Sequence, residues 1–211
     1  MIFNIHHIKD NFLENIYTDS IKDLNEFYEI NWTHHLPTII IVDDRETINL
    51  LKGSKTENWV AGWTNGSQIY VLNKNNFEKE SSHKCNPDEY SALIKHELSH
   101  CFYNILSNYH HIPIWLSEGV ASYTSGQNNF KNKPKEFNKF LACYDHGGKG
   151  VYGESGFFVQ ILVEKFGKQK LLNLIKELKS LKSQEEFDKF FAKEYGFNLN
   201  YDEINAQKLL A

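Results

Sequence analysis

The chain has 211 residues and a formal net charge of −4, and its hydrophobic and aromatic fractions of 41% and 14% are ordinary for a globular protein. Its 23 basic residues are spread along the chain, which argues against a surface for a phosphate backbone, so we expect no nucleic-acid partner. No segment approaches the apolar length of a membrane span, and we expect no membrane partner.

The N-terminal sequence lacks the basic and apolar regions of a secretory signal. The three cysteines, Cys85, Cys101 and Cys143, cannot all pair within one chain, and none lies in a CxxC arrangement. We therefore expect buried thiols in a reducing compartment and a cytoplasmic location. The sequence leaves the oligomeric state open.

The first part of the chain, to about residue 85, predicts a small α/β lobe. An amphipathic helix is expected first, followed by a β-branched buried strand, a short helix ended by Gly53, and two further strands. In this order, these elements are expected over residues 11–29, 38–42, 45–51, 59–64 and 68–72. Asn65-Gly66, between the last two strands, is a strong hairpin signal and predicts a small antiparallel or mixed sheet.

From about residue 86 onwards the pattern predicts mainly helices. Asn86 as N-cap, Pro87 at the first helical position and Glu89 as the second half of a capping box start a helix that runs to about Ser107. Further helices are expected over residues 115–123, 152–166, 169–181 and 184–195. The predicted class is α+β, with a small N-terminal sheet and its helices packed against a mainly helical C-terminal half, and residues 1–211 are expected to form a single unit.

The residues His96-Glu97-Leu98-Ser99-His100 form an HExxH motif inside the first helix of the second half. Because residues four apart stand on one face of a helix, both imidazoles can reach one zinc ion. Glu97 points to the open side, where it can act as general base towards a water molecule. A catalytic zinc site needs three protein ligands, so the motif predicts a third ligand elsewhere in the chain.

Eighteen residues after His100, Glu118 lies in the string WLSEGVA, residues 115–121. This string resembles the WLxEGxA signature of the gluzincin zinc metallopeptidases, which include aminopeptidase N-type and thermolysin-type enzymes. The resemblance implies that Glu118 completes the ligand set of one Zn²⁺ ion with His96 and His100. It also implies that Gly119 lets its helix approach the helix of the two histidines closely.

The resemblance extends to two further segments. Tyr152 begins the string YGESG, which resembles the family element that supplies a transition-state tyrosine, although His146 stays open as an alternative oxyanion donor. Ala61 and Gly62 stand where these enzymes keep the edge strand that pairs with the substrate backbone. The layout of residues 38–200 resembles the compact peptidase-MA-like domains, which implies the fold of thermolysin and aminopeptidase catalytic domains.

These features predict a zinc-dependent peptidase acting on a peptide or protein substrate, with Glu97 as general base and Tyr152 on the oxyanion. Thr64 stands where aminopeptidases keep a glutamate for the free amine of the substrate, so we expect an endopeptidase. Two alternatives stay open: a zinc-binding regulatory or protein-binding domain without turnover, and a hydrolase of a non-peptide amide. Glu97 argues against the first, since a structural zinc usually has four protein ligands and needs no base.

Overall fold

The computed structural model describes residues 6–209. Within them the helices are α1 (Asn11–Tyr28), α2 (Arg45–Lys52), α3 (Phe77–Glu80), α4 (Pro87–Leu106), α5 (Ile114–Thr124), α6 (Lys149–Phe166), α7 (Lys168–Glu177), α8 (Gln184–Tyr195) and α9 (Tyr201–Leu209). The strands are β1 (Thr38–Val42), β2 (Gly62–Asn65) and β3 (Gln68–Leu72). The coarse prediction of an α+β protein is therefore confirmed. None of the helices described is long and apolar enough to cross a membrane.

The three strands form one mixed sheet in the order β1-β3-β2. β1 runs parallel to β3, with Thr38 opposite Gln68, and β2 runs antiparallel to β3, with Gly62 opposite Val71. β1 was predicted to be a buried strand, and this is wrong, because it forms one edge of the sheet and only Val42 is buried. β2 forms the other edge, so its outer side has no neighbouring strand within the described residues.

The hairpin between β2 and β3 differs from the prediction by one residue. Asn65 pairs with Gln68, so the two loop residues are Gly66 and Ser67 rather than Asn65 and Gly66. Gly66 has a φ of 62°, and a glycine with positive φ at the first loop position matches the right-handed twist of the paired strands. The stacked rings of Trp63 and Tyr70, with centroids 4.7 Å apart, reinforce this register across the strands.

Helix α4 packs against β2 and β3 of the sheet and against helices α1, α5 and α7, and half of its residues are buried. Ser99, in the middle of the helix, is fully buried, and its Oγ lies 2.7 Å from the hydroxyl of Tyr28 in α1 and 2.8 Å from Oγ1 of Thr124 in α5. These hydrogen bonds join three helices at one point. Because a buried hydroxyl without a partner costs free energy, they favour one relative position of α4 and α5.

The helix ends follow their capping residues, with two differences. The Asn86 side chain accepts the N–H of Asp88, as expected of an N-cap, but the second half of the predicted capping box is absent from the described hydrogen bonds, since the Asn86 N–H goes to the Lys84 carbonyl. Helix α6 begins at Lys149, three residues before the predicted start, so Tyr152 lies in its first turn.

Helix α5 is anchored by its first apolar residues. Trp115 is 1% exposed, and its ring packs against Phe140 and Phe158, with centroids 5.3 and 5.6 Å apart. Gly119 follows on the same helix, and a Cβ built there would lie 2.8 Å from the Ser155 carbonyl oxygen and 2.8 Å from Cγ2 of Val159. Gly119 therefore allows close approach of α5 to α6: the atoms nearest to its added Cβ belong to α6, and not to the histidine helix α4 as the resemblance implied.

Replacing Gly119 by Ala is expected to destabilise the protein by about 1 to 3 kcal/mol, because the new methyl group meets backbone of α6 that cannot move aside. Urea denaturation measures the change. Gly153→Ala is the matched control: it also lies in α6, nothing stands within 4 Å of its Cβ, and alanine there is expected to be neutral or stabilising. Equal stability of the Gly119→Ala variant and the wild type would contradict this account of the α5–α6 contact.

Candidate metal centre

The two histidines of the HExxH motif lie on one face of α4, because four residues make slightly more than one helical turn. His96 and Glu97 are buried, with 5% and 6% of their surface exposed, and the side chain of His100 is 15% exposed. The Nε2 atoms of the two imidazoles are 3.1 Å apart. The local geometry of the helix alone thus brings two nitrogen ligands together.

Helix α5 brings Glu118 to the same point. Its Oε2 lies 3.2 Å from Nε2 of His96 and its Oε1 lies 3.7 Å from Nε2 of His100. Tetrahedral zinc, with bonds of about 2.0 to 2.2 Å, requires ligand atoms about 3.3 to 3.6 Å apart. The three residues thus have both the spacing and the donor chemistry of a zinc site with three protein ligands, and their ligand atoms all lie within 4.8 Å of one another.

The charges of the cluster also suit a cation. Burial disfavours the imidazolium form of His100, but the Glu118 carboxylate outweighs this effect and raises the pKa of His100. Burial would raise the pKa of Glu118, but the imidazoles of His100 and His96 outweigh it and hold that pKa well below its usual range. Glu118 is therefore ionised at neutral pH, and a metal ion would compete with a proton for His100.

The surroundings orient one imidazole and leave other polar atoms free. Ser117 Oγ lies 3.2 Å from Nδ1 of His100, which directs the Nε2 of this ring towards Glu118. Two buried atoms have no hydrogen-bond partner among the described residues: Nδ1 of His96 and Oε2 of Glu118. Oε2 of Glu118 lies 3.2 Å from Nε2 of His96, but the two atoms do not have the geometry of a hydrogen bond. A buried carboxylate oxygen of this kind is accounted for if it binds a metal ion.

Two residues of β2 contact Glu97. The Thr64 hydroxyl lies 2.9 Å from Oε2 of Glu97 and 3.0 Å from its backbone carbonyl oxygen, and can donate to either. At Gly62, a Cβ would come within 3.3 Å of Oε1 of Glu97 and 3.2 Å of Cδ1 of Leu93. The glycine therefore leaves room for the carboxylate beside the strand, and the threonine holds the carboxylate on the side of the open cleft.

A cleft of about 1020 Å³ runs past the cluster, and the segment from Val60 to Gly66 lines it. The Ala61 carbonyl accepts the N–H of Leu72, so it points towards β3. Because backbone groups alternate in an antiparallel ladder, those of Gly62 and Thr64 point to the free edge. Of the two residues predicted to pair with a substrate, only Gly62 offers its backbone there; Ala61 is also buried and lies outside β2.

The structure separates the two candidate oxyanion donors. Tyr152 lines the cleft together with His96, Glu97 and Glu118. Burial, followed by the charges of Glu118 and Glu97, raises the pKa of Tyr152 well above its usual value, so its hydroxyl keeps its proton. His146 is instead exposed, with its Nδ1 2.7 Å from Oδ1 of Asp145, and it is not part of the cleft lining.

Sequence reasoning missed Arg45, which positions the loop before β2. Its guanidinium donates to the carbonyl oxygens of Val60 and Glu80, each at 2.7 Å, and also to those of Glu57 and Asn58. Thr64 and Ser117 were also not predicted to make their contacts with the motif residues. None of these roles has a local signal, since each partner lies far away in the sequence or on another element.

No model of a known protein family, no characterised protein and no solved structure matches this chain. The resemblance to gluzincins therefore depends on the sequence motifs alone.

Proposed function

We propose that this protein is a zinc-dependent peptidase of the gluzincin type, acting as an endopeptidase. The observation that carries the proposal is the convergence of His96, His100 and Glu118 at tetrahedral spacing, with Glu97 beside them in an open cleft. A structural zinc usually has four protein ligands, whereas three ligands leave a position open for catalysis. We also propose the fold of gluzincin catalytic domains, which the mixed sheet beside α4 supports.

Each residue then has a defined role. A zinc ion held by the three ligands would supply Lewis-acid activation of a water molecule and of the scissile carbonyl. Glu97 accepts the proton of the attacking water and passes it on to the leaving amine. The Tyr152 hydroxyl, which stays protonated, donates a hydrogen bond to the oxyanion. Thr64 keeps the Glu97 carboxylate in position through its hydrogen bond.

An extended peptide would pair with the free edge of β2. The outward backbone groups of Gly62 and Thr64 can form antiparallel hydrogen bonds with a substrate strand, as in other β-augmentation complexes. Because these bonds involve only the main chain, they would align many sequences, and the side-chain pockets of the cleft would select among them. Thr64 carries no charge for a free amine, which supports cleavage within a chain.

The test combines zinc stoichiometry with cleavage of a mixed library of peptides, assayed with and without a chelator. We expect one zinc per chain, internal cleavage of peptides with blocked ends, loss of cleavage with the chelator and recovery on adding zinc. Binding of zinc without cleavage of any peptide would instead favour a non-catalytic zinc domain. A protein that binds no zinc in zinc-replete buffer would overturn the proposal.

A further inference from the structure

Lys131 is a half-buried lysine in the wall of the cleft. It directly follows the 3-10 turn Gln127–Phe130 and lines the cleft together with Glu118 and Tyr152. Burial lowers its pKa to about 8, although the Glu118 charge partly offsets this effect. The side chain therefore still carries a positive charge at neutral pH.

This ammonium group has no anionic partner within residues 6–209. No carboxylate oxygen lies within 4.0 Å of its Nζ, and its only described hydrogen bond goes to Oε1 of Gln127, at 3.3 Å. When Glu118 binds a metal ion, it cannot also be the counter-charge of Lys131. The two negative charges of Glu118 and Glu97 then balance the two positive charges of the divalent ion, and none remains for the ammonium group. Partly buried charges are normally paired, so the cleft presents an uncompensated cation to whatever binds there.

Gln127 adds a second donor beside Lys131. Its Oε1 accepts from Lys131, which leaves its side-chain NH₂ free among the described residues. A carboxylate has two oxygens and can accept from an ammonium group and an amide NH₂ at once. A neutral group could accept a hydrogen bond from the ammonium group but would leave it without a counter-charge, and a cationic group would repel it.

We propose that Lys131, with Gln127, binds a carboxylate of the substrate, so that the cleft selects peptides carrying an acidic side chain or a free C-terminal carboxylate in this position. That the bound peptide is a substrate rests on the proposed peptidase function. The binding of its carboxylate requires no turnover. Lys131 is then a specificity-determining residue outside the HExxH and WLxEGxA motifs.

The test is peptide binding to the zinc-loaded Glu97→Gln variant, followed by tryptophan fluorescence, since Trp59 and Trp63 line the cleft. The probes are peptides with both ends blocked that carry one Glu or the isosteric Gln at successive positions, and a neutral peptide with a free or an amidated C-terminus. We expect at least about tenfold tighter binding of a carboxylate-bearing probe than of its neutral counterpart. The Glu series and the C-terminal pair show which source of the carboxylate is used.

Lys131→Met, made in the same Glu97→Gln background, is expected to abolish this preference, Lys131→Arg to retain it, and Lys131→Glu to favour a Lys-bearing probe instead. Lys52→Met is the matched control, because Lys52 also lines the cleft, over the Trp63 ring, and its loss should leave the preference unchanged. Absence of any preference in the parent variant, or its persistence in Lys131→Met, would overturn the inference. If the wild-type protein cleaves peptides but shows no such preference, the carboxylate site is wrong and the peptidase proposal is retained. If the Glu97→Gln variant binds carboxylate-bearing probes selectively but the wild-type protein cleaves no peptide, the peptidase proposal is wrong and the carboxylate site is retained.

Discussion

Replacing Glu97 by Gln is expected to lower peptide hydrolysis by at least about 100-fold while leaving zinc bound, because the amide cannot accept the proton of the attacking water. Glutamine has the same shape as glutamate and can still accept the Thr64 hydrogen bond, so the cleft should keep its form. The ligand atoms of His96, His100 and Glu118 are untouched by the change. Hydrolysis rate and zinc content of the same preparation give the two measurements.

Glu89→Gln is the control for this variant. Glu89 is also a cleft residue of α4, but it is exposed in the first turn, two turns before Glu97. Its replacement changes the charge of the cleft equally and should leave turnover near the wild-type rate. Hydrolysis at the wild-type rate in the Glu97→Gln variant would show that Glu97 is not the general base.

Replacing Glu118 by Gln is expected to weaken zinc binding by more than about 100-fold. Loss of a residue that hydrogen-bonds to a metal ligand typically lowers metal affinity by about 10- to 100-fold, and loss of a ligand itself should cost more. The neutral amide removes the charge that makes this cluster attractive to a cation. Competition with a chromophoric chelator measures the affinity. The stabilisation of the fold by added zinc should shrink in parallel, because an ion that binds only the native state raises its stability.

The control is Glu154→Gln, which alters a different buried carboxylate. Oε2 of Glu154 accepts the backbone N–H groups of Asn138, Lys139 and Phe140, all within 3.2 Å. Its neutralisation is expected to lower stability by about 1 to 3 kcal/mol, because these bonds to a charged acceptor weaken, while zinc affinity stays unchanged. Unchanged zinc affinity in the Glu118→Gln variant would remove the third ligand from the proposed site.

The parts of the fold that follow from local signals were predicted well. Gly53 ends the short helix α2 in the left-handed conformation, as predicted, and α8 spans the predicted residues 184–195. β1 was predicted with the correct bounds. Its burial was wrong because apolar, β-branched residues favour a strand without indicating whether that strand lies at the centre or at the edge of a sheet.

The contacts around the site were predicted less well. The hydrogen bonds of Thr64 to Glu97 and of Ser117 to His100 join residues on different elements, and the contact of Gly119 with α6 depends on how two helices pack. The position of Lys131 in the cleft depends on the same packing. A sequence pattern reports the conformation of a few neighbouring residues, and these contacts depend on distances between elements.

The sequence by itself determined that His96 and His100 share one face of a helix with Glu97 beside them, because helical periodicity acts over four residues. It also named Glu118, but only through the resemblance of its motif. Tertiary structure alone decided that α5 carries this carboxylate to within 3.2 Å of one imidazole and that the free edge of β2 borders the same cleft. The physical reason is that packing between elements, through contacts such as those of Ser99 and Trp115, fixes these distances, whereas local conformation leaves them open.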